Sequence, residues 1–231
     1  MIHGGRLLHK GPARRMESVW VHEVYASIQG ESTFAGVPCA FVRLTGCNLR
    51  CTWCDTPQAF HGGTERLVAD VASEVLGYRT PIVEVTGGEP LLQAGCVPLL
   101  SALADSFATV LLETGGGVNI PEIDPRIHVI LDIKCPGSGM SDRNVWGNLN
   151  RLRDGRDEVK FVLADRADYE WMRDLIHDMA LRQLGCELLV SPAHGALDPR
   201  ALVEWMLADR LPVRLNLQLH KYVWGAEVQG V

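Results

Sequence analysis

The sequence predicts an α/β fold: a partial, TIM-like β/α barrel, open and shortened, with mainly parallel strands. Three observations predict it. Short β-rich apolar runs alternate with helical stripes, the mark of βαβ units and a parallel sheet. Some 216 residues follow a basic first stretch, fewer than the roughly 250 of a complete eightfold barrel. Polar residues gather just beyond the C-terminal ends of the runs, the rim at which parallel α/β folds bind ligands.

In chain order the predicted strands are residues 21–25, 40–44, 82–85, 109–112, 128–131, 159–163, 187–190 and 213–217. Each is short and largely apolar, and most carry β-branched or aromatic side chains. Behind Thr64, Leu67, Val71 and Val75 repeat every four residues and predict a first helix. Met172, Leu175, Ile176 and Met179 give a second stripe. Asp198 followed by Pro199 reads as an N-cap with proline at the first helical position, opening a helix through about Leu207. Cys47, Thr86 to Glu89, Glu113 and Thr114, Asp132 and Lys134, Ser191, and Gln218 with His220 each follow the end of a predicted strand. Six loops thus converge on one mouth.

Apolar residues make up 47% of the chain, charged ones 22% and aromatic ones 6%. That mixture belongs to a soluble globular protein and excludes disordered, collagen-like and coiled-coil classes. No apolar run approaches the roughly 20 residues of a membrane span, so no membrane is expected. Twenty-two basic residues face 28 acidic ones for a net charge of −6; Arg6, Lys10, Arg14 and Arg15 fall in the first fifteen positions with no acid, so the rest holds 18 against 28, or −10. A nucleic-acid partner would call for the opposite sign. Residues 1–15 lack the apolar centre of a secretory signal. They are read as a disordered extension, either foreign to the protein or the result of a start site assigned too early, with one catalytic domain spanning 16–231. Seven cysteines, an odd number, without an export signal predict free thiols in a reducing cytoplasm rather than a disulfide framework.

The sharpest signal is Cys47-Asn48-Leu49-Arg50-Cys51-Thr52-Trp53-Cys54, a C-x3-C-x2-C run in a loop just after a strand. Three thiolates this close can cap three corners of one iron–sulfur cluster. The fourth iron then keeps an open coordination position, as a catalytic zinc site does. A structural zinc site is the competing reading, with a fourth ligand from Cys39, Asp55 or His61. Cys39, Cys96, Cys135 and Cys186 are read as non-ligands, although Cys135, next to Lys134 on the rim, is a candidate for oxidation.

With Trp53 before the last cysteine, and Gly87-Gly88-Glu89-Pro90 at a strand end 33 residues beyond Cys54, the chain resembles the radical S-adenosylmethionine enzymes. In that superfamily the open iron is chelated by the amino and carboxylate groups of S-adenosylmethionine. The reduced [4Fe-4S] cluster cleaves the sulfonium to a 5′-deoxyadenosyl radical. The glycines let the backbone approach the ligand's amino group closely. Ser27-Ile28-Gln29-Gly30-Glu31, Arg43, Asp55-Thr56, Asp132-Ile133-Lys134 and Gln218-Leu219-His220-Lys221-Tyr222 narrow the resemblance to the 7-carboxy-7-deazaguanine synthase family, over residues 21–224. That family contracts 6-carboxy-5,6,7,8-tetrahydropterin to 7-carboxy-7-deazaguanine with loss of ammonia, on the route to queuosine. It uses Mg²⁺ and regenerates S-adenosylmethionine each turnover.

The resemblance implies that Cys47, Cys51 and Cys54 hold the cluster and that Trp53, Asp55, Gly88, Glu89, Lys134 and Ser191 lie along S-adenosylmethionine. Ile28, Gln29, Gly30, Glu31, Arg43, Thr86, Glu113 and His220 would surround the pterin, and Thr56 would offer its hydroxyl to Mg²⁺. The residue types suit these tasks. A guanidinium such as Arg43 can grip a carboxylate with two parallel hydrogen bonds, and Gln29, Glu31 and Glu113 can match a guanine-like edge. One threonine oxygen suffices for Mg²⁺, which keeps most of its waters. The Gly62-Gly63 and Gly115-Gly116-Gly117 stretches are candidate hinges for closing the mouth. An electron donor such as flavodoxin or ferredoxin and a homodimer complete the expectation. Two alternatives stay open: an activase that makes a glycyl radical on a partner protein, and an iron–sulfur or zinc module without enzymatic activity.

Overall fold

Strands covered on both faces read as nearly continuous apolar runs, and the eight runs named above become strands in the computed structural model, which describes residues 17–230. The expectations for residues 1–15 and a boundary at Met16 lie outside the described residues. The strands are β1 (Ser18–Ile28), β2 (Pro38–Leu44), β3 (Thr64–Leu67), β4 (Ile82–Gly87), β5 (Thr109–Thr114), β6 (Ile127–Ile133), β7 (Glu158–Leu163), β8 (Glu187–Pro192) and β9 (Arg214–Leu215). The longer helices are α1 (Val68–Gly77), α2 (Cys96–Ala104), α3 (Arg166–Asp178), α4 (Pro199–Ala208) and α5 (Leu219–Trp224).

One nine-stranded sheet results, in the order β3-β1-β2-β4-β5-β6-β7-β8-β9. From β2 to β9 every pairing is parallel, whereas β1 runs antiparallel to both β2 and β3. Among the described residues no pairing joins β3 to β9, so the curved sheet stays open. The expected partial barrel is what forms.

Three elements differ from the sequence reading. Leu67 is not the start of a helical stripe: it pairs with Ser18 in the edge strand β3 and is half exposed, and α1 buries only Val71 and Val75. The unexpected α2 buries Cys96, Leu99, Leu100 and Leu103. Pro98 masks its pattern, yet proline is tolerated in a first turn, where its missing N–H has no partner to lose. The strand expected over 213–217 keeps only Arg214–Leu215, and His220 falls in α5. The Asp198 cap is as expected, its carboxylate accepting from Arg200 N at 2.9 Å.

Alternation along the strands sorts side chains into two layers. One set (Ala40, Val42, Val83, Val85, Val110, Leu112) packs under α1 and α2, and another (Val129, Leu131, Val159, Phe161, Leu188, Val190) packs under α3 and α4. The intervening residues point into the concave face. Near its base these are Cys39, Phe41, Ile82, Leu111 and Ile130, a small apolar plug. Toward the C-terminal rim they turn polar, through Arg43, Glu84, Thr86, Glu113, Asp132 and Lys160.

Candidate active site

At the C-terminal rim the concave face deepens into a cavity of about 270 Å³. Its wall includes the cysteines of the 47–54 loop and nearly every residue that the motifs singled out. Cys47, Cys51, Cys54, Trp53, Asp55, Thr56, Gly88, Lys134, Ile28, Gln29, Gly30, Glu31, Arg43, Thr86, Glu113 and His220 all line it. Glu89 and Ser191 do not; both are completely buried behind the wall.

The cysteine loop is pinned at several points. Thr52 N and Oγ1 donate to Ser138 O (3.0 and 3.2 Å), Asn48 Nδ2 donates to Gly117 O (2.9 Å), and Arg50 lies over the Phe60 ring at 4.1 Å. Its base rests on the Gly87-Gly88 turn. A Cβ on Gly88 would meet Gly46 O at 2.4 Å and Cys47 Cβ at 2.7 Å. Glycine at 88 therefore serves the close approach of two backbones, a reason beyond the ligand contact expected from sequence. Next to it, Glu89 N donates to Gly46 O at 2.7 Å, while the Glu89 carboxylate accepts from Thr114 Oγ1 (2.9 Å), Gly115 N (2.9 Å) and Leu91 N (3.1 Å). Glu89 thus ties three rim loops together instead of facing the cavity. Burial pushes its carboxyl above the usual range, and these donors pull against that. Ser191 accepts from Asn216 Nδ2 at 2.9 Å in the same hidden layer.

The expected hinge at residues 115–117 is held fast: Gly115 N is taken by Glu89, Gly116 O accepts from Val145 N (3.0 Å) and Gly117 O from Asn48. Backbone anchored at three successive residues does not swing. Cys135 is fully buried, and desolvation pushes its thiol far up, so it is held as an unreactive thiol rather than an oxidation-prone one.

The other half of the cavity is lined by ionic groups. Arg43 donates through Nε to Glu23 (2.7 Å) and through Nη2 to Tyr25 Oη (3.0 Å). This occupies the side-on fork, so a substrate carboxylate would meet the guanidinium end-on, at Nη1. Gln29 donates to the buried Glu84 and accepts from Glu31 N at 2.9 Å. Loop 29–37 carries these residues and is closed by Gly36 N donating to Gln29 O (2.7 Å) and tethered by Thr33 to Glu158. Glu31 accepts from Lys160 Nζ (2.7 Å) and Gln218 Nε2 (3.0 Å), and Lys160 also pairs with Glu113. Burial, then the neighbouring Glu113, pushes the Glu84 carboxyl well above the carboxylate range. Burial works the same way on Glu31, but Lys160 outweighs it and holds that carboxyl low. His220 packs against Gly30 so closely that a Cβ there would lie 1.9 Å from Nδ1. Desolvation holds the imidazole below its ordinary pKa, that is, neutral at pH 7.

Sequence reading missed Lys160, Glu84 and the roles of Asp132 and Gln218. A signal was available for the first two. A charged residue in the middle of an apolar parallel strand is buried on either face and must be paired.

The residues present fit the groups the sequence implies. Three thiols on one loop, those of Cys47, Cys51 and Cys54, face one cavity, the donor set that caps three irons of a cluster. Asp132 Oδ1 is buried without a partner, an acceptor waiting for a donor in a cavity that Asp132 lines. Its other oxygen holds Lys134 Nζ at 3.0 Å; burial opposes the Lys134 charge, and Asp132 carries its pKa above the usual value.

Comparison with known proteins agrees with this geometry. Residues 41–129 match the Radical SAM superfamily model. The 7-carboxy-7-deazaguanine synthase of Chlorobaculum tepidum is 49% identical over 214 residues, covering 91% of this chain and 96% of that protein. That of Koribacter versatilis is 41% identical, covering 91% and 99%. The crystal structure of QueE from Escherichia coli superposes with a TM-score of 0.72 at 23% identity, covering 92% of this chain and all of that one, and shows the same fold. No helix among the described residues is long and apolar enough to cross a membrane. By its identity to these synthases along nearly its whole length, the chain belongs to the 7-carboxy-7-deazaguanine synthase family of radical S-adenosylmethionine enzymes.

Proposed function

We propose that this enzyme is a Mg²⁺-dependent lyase that converts 6-carboxy-5,6,7,8-tetrahydropterin to 7-carboxy-7-deazaguanine with loss of ammonia, in 7-deazapurine biosynthesis leading to queuosine. The observation that carries the reading is one cavity with a three-thiol loop on one side and Arg43, Gln29, Glu31, Glu113 and His220 on the other. An activase has no use for that second set, and a zinc or electron-carrying module has no use for the cavity.

In this reading Cys47, Cys51 and Cys54 hold a [4Fe-4S] cluster, and Trp53, Asp55, Gly88 and Lys134 line the place of S-adenosylmethionine. Together those groups supply, when bound, the one-electron chemistry that removes a hydrogen from the substrate carbon bearing the carboxylate. Glu89 and Ser191 act from behind the wall, by fixing the loops. Arg43 meets the substrate carboxylate end-on and is kept in place by Glu23 and Tyr25. Glu31 and Glu113 accept from the ring's N–H edge, and Gln29, braced by Glu84, contributes its amide. Neutral His220 can accept or donate a hydrogen bond at the ring without adding charge. Thr56 Oγ1, 4.0 Å from Cys54 Sγ, would serve as the magnesium ligand, and the ion would neutralise the substrate carboxylate. A flavodoxin or ferredoxin would feed the cluster, and the family points to a homodimer.

Anaerobic reconstitution with iron and sulfide, followed by an assay for deazapurine with and without Mg²⁺, tests the proposal. Product that requires S-adenosylmethionine, reductant and Mg²⁺ is expected. A reconstituted protein that cleaves S-adenosylmethionine but leaves the carboxylated pterin unchanged would refute it.

A further inference from the structure

Lys160 sits in the middle of β7 at 3% exposure, in a strand that is otherwise largely apolar. A buried ammonium is tolerated only when its charge and donors are met. Here they are met by carboxylates from three other places in the chain: Glu31 Oε2 at 2.7 Å, Glu113, and Asp132 Oδ2 at 3.6 Å. Buried ion pairs are poor stabilising devices, since apolar replacements often fold as well or better. A lysine that served stability alone would have no reason to gather acids at the floor of a ligand cavity. Two of its three partners, Glu31 and Glu113, are the carboxylates that sequence and geometry assign to the substrate ring.

We propose that Lys160 is a positioning and specificity-determining residue, holding the Glu31 and Glu113 carboxylates ionised and at fixed separation so that they accept from an amidine-type N–H edge. A pterin or guanine ring presents that edge, and a ring presenting acceptors there is rejected. The proposal rests on the pterin reading above. The charged groups facing Lys160 are Glu31 from the loop after β1, Asp55 from the cysteine loop, Glu84 from β4, Glu113 from β5, Asp132 from β6 and Lys134 just after it, with His220 of α5 beside Glu31. Without Lys160, four carboxyl groups share one buried space, opposed by Lys134 on Asp132 and by Arg43 on the Glu84 side. Like charges so placed take up protons, and a protonated carboxyl offers a donor where the ring needs an acceptor. Lys160 pulls both carboxyls down. At Glu31 it outweighs burial and holds the group low. At Glu113 burial, with Glu31 and Asp132, keeps the group above its ordinary value in spite of Lys160, the carboxyl that would rise furthest without it.

The test uses 6-carboxypterin, followed by its own fluorescence, with wild type, Lys160→Met and Lys160→Arg. Lys160→Met is expected to weaken binding about 10- to 100-fold at pH 7, the worth of a charge-assisted hydrogen bond. The deficit should shrink as pH rises and the carboxyls ionise unaided, and in turnover it should fall on KM rather than kcat. Lys160→Arg, which keeps the charge, should recover most of the affinity. Folded Lys160→Met that binds with wild-type affinity and pH dependence would overturn the proposal. If that variant does not fold, glutamate-labelled wild type decides by ¹³C NMR, with signals assigned through Glu31→Gln and Glu113→Gln. Both side chains ionised at pH 7 support the proposal, and either one protonated overturns it. Ionised Glu31 and Glu113 in a wild type that binds no 6-carboxypterin would instead sink the pterin reading while leaving the role of Lys160 standing.

Discussion

Substituting Gly88 by alanine probes the seam between the cysteine loop and the Gly87-Gly88 turn. The new Cβ would sit 2.4 Å from Gly46 O and 2.7 Å from Cys47 Cβ. Ordinary contact begins near 3.4 Å, so one backbone must retreat by about 1 Å. The same retreat opens the Glu89 N to Gly46 O hydrogen bond, 2.7 Å in the native protein, beyond bonding range. Overpacking of this kind costs about 1–3 kcal/mol and a lost buried hydrogen bond about 1 kcal/mol more. A total of about 2–4 kcal/mol lowers the melting temperature of a domain this size by roughly 4–16 °C. Because the displaced atoms belong to Cys47 and its neighbour, iron incorporation should fall further than stability. The assay is anaerobic reconstitution, with iron per chain and the electron paramagnetic resonance signal of the reduced cluster read beside a thermal melt of the metal-free protein. Gly77→Ala is the control: it ends α1, and a Cβ there meets nothing within 4 Å. Gly88→Ala that melts like wild type and takes up a full cluster would refute this account of the seam.

Alanine at any one of Cys47, Cys51 or Cys54 should abolish cluster content and turnover together, and iron analysis of an active, cluster-free variant would contradict it. Glu84 keeps its proton in the fold more tightly than in the unfolded chain. Its contribution to stability is therefore full below the unfolded pKa and is lost as pH rises through the raised folded value. Glu84→Gln should gain on wild type in urea midpoint between pH 5 and pH 8, and a constant gap would deny the shift. Thr56→Val should lower the Mg²⁺-dependent rate about 10-fold or more while Thr56→Ser retains most of it, measured as rate against Mg²⁺ concentration. Gly30→Ala drives a Cβ into His220 and should raise KM by about 10-fold, the cost of a small misplacement in a binding site.

The barrel was legible because parallel strands and their covering helices write themselves in apolar periodicity. Strands β4 through β8 were each found to within a few residues on that basis, and the Asp198-Pro199 start of α4 announced itself chemically. What escaped was whatever depends on pairing or packing from elsewhere in the chain. The short β3 carries Thr-Glu-Arg-Leu, with no strand pattern of its own, and exists because β1 offers it an edge. Likewise α5 forms where Leu219 N finds Gly30 O at 2.8 Å, a contact across nearly two hundred residues of chain.

The site divides in the same way. Motif residues could be named because thiols, glycines and a GGEP turn carry their chemistry in their type and spacing. Whether such a residue faces the ligand or the scaffold is a different question, decided by alternation and by neighbours. Glu89 sits inside the motif, yet its carboxylate is used up by Thr114, Gly115 and Leu91, whereas Lys160 belongs to no motif and reaches Glu31 and Glu113, both proposed to meet the pterin. A buried charge marks the place where a fold departs from its least costly solution. In this chain the departures at Glu84, Asp132 and Lys160 lie under one cavity, beside the apolar plug of Cys39, Phe41, Ile82, Leu111 and Ile130 that could have extended to fill it. The sheet therefore closes its base with hydrocarbon and reserves its rim for charge, and that division makes the barrel a binding site rather than a packed core.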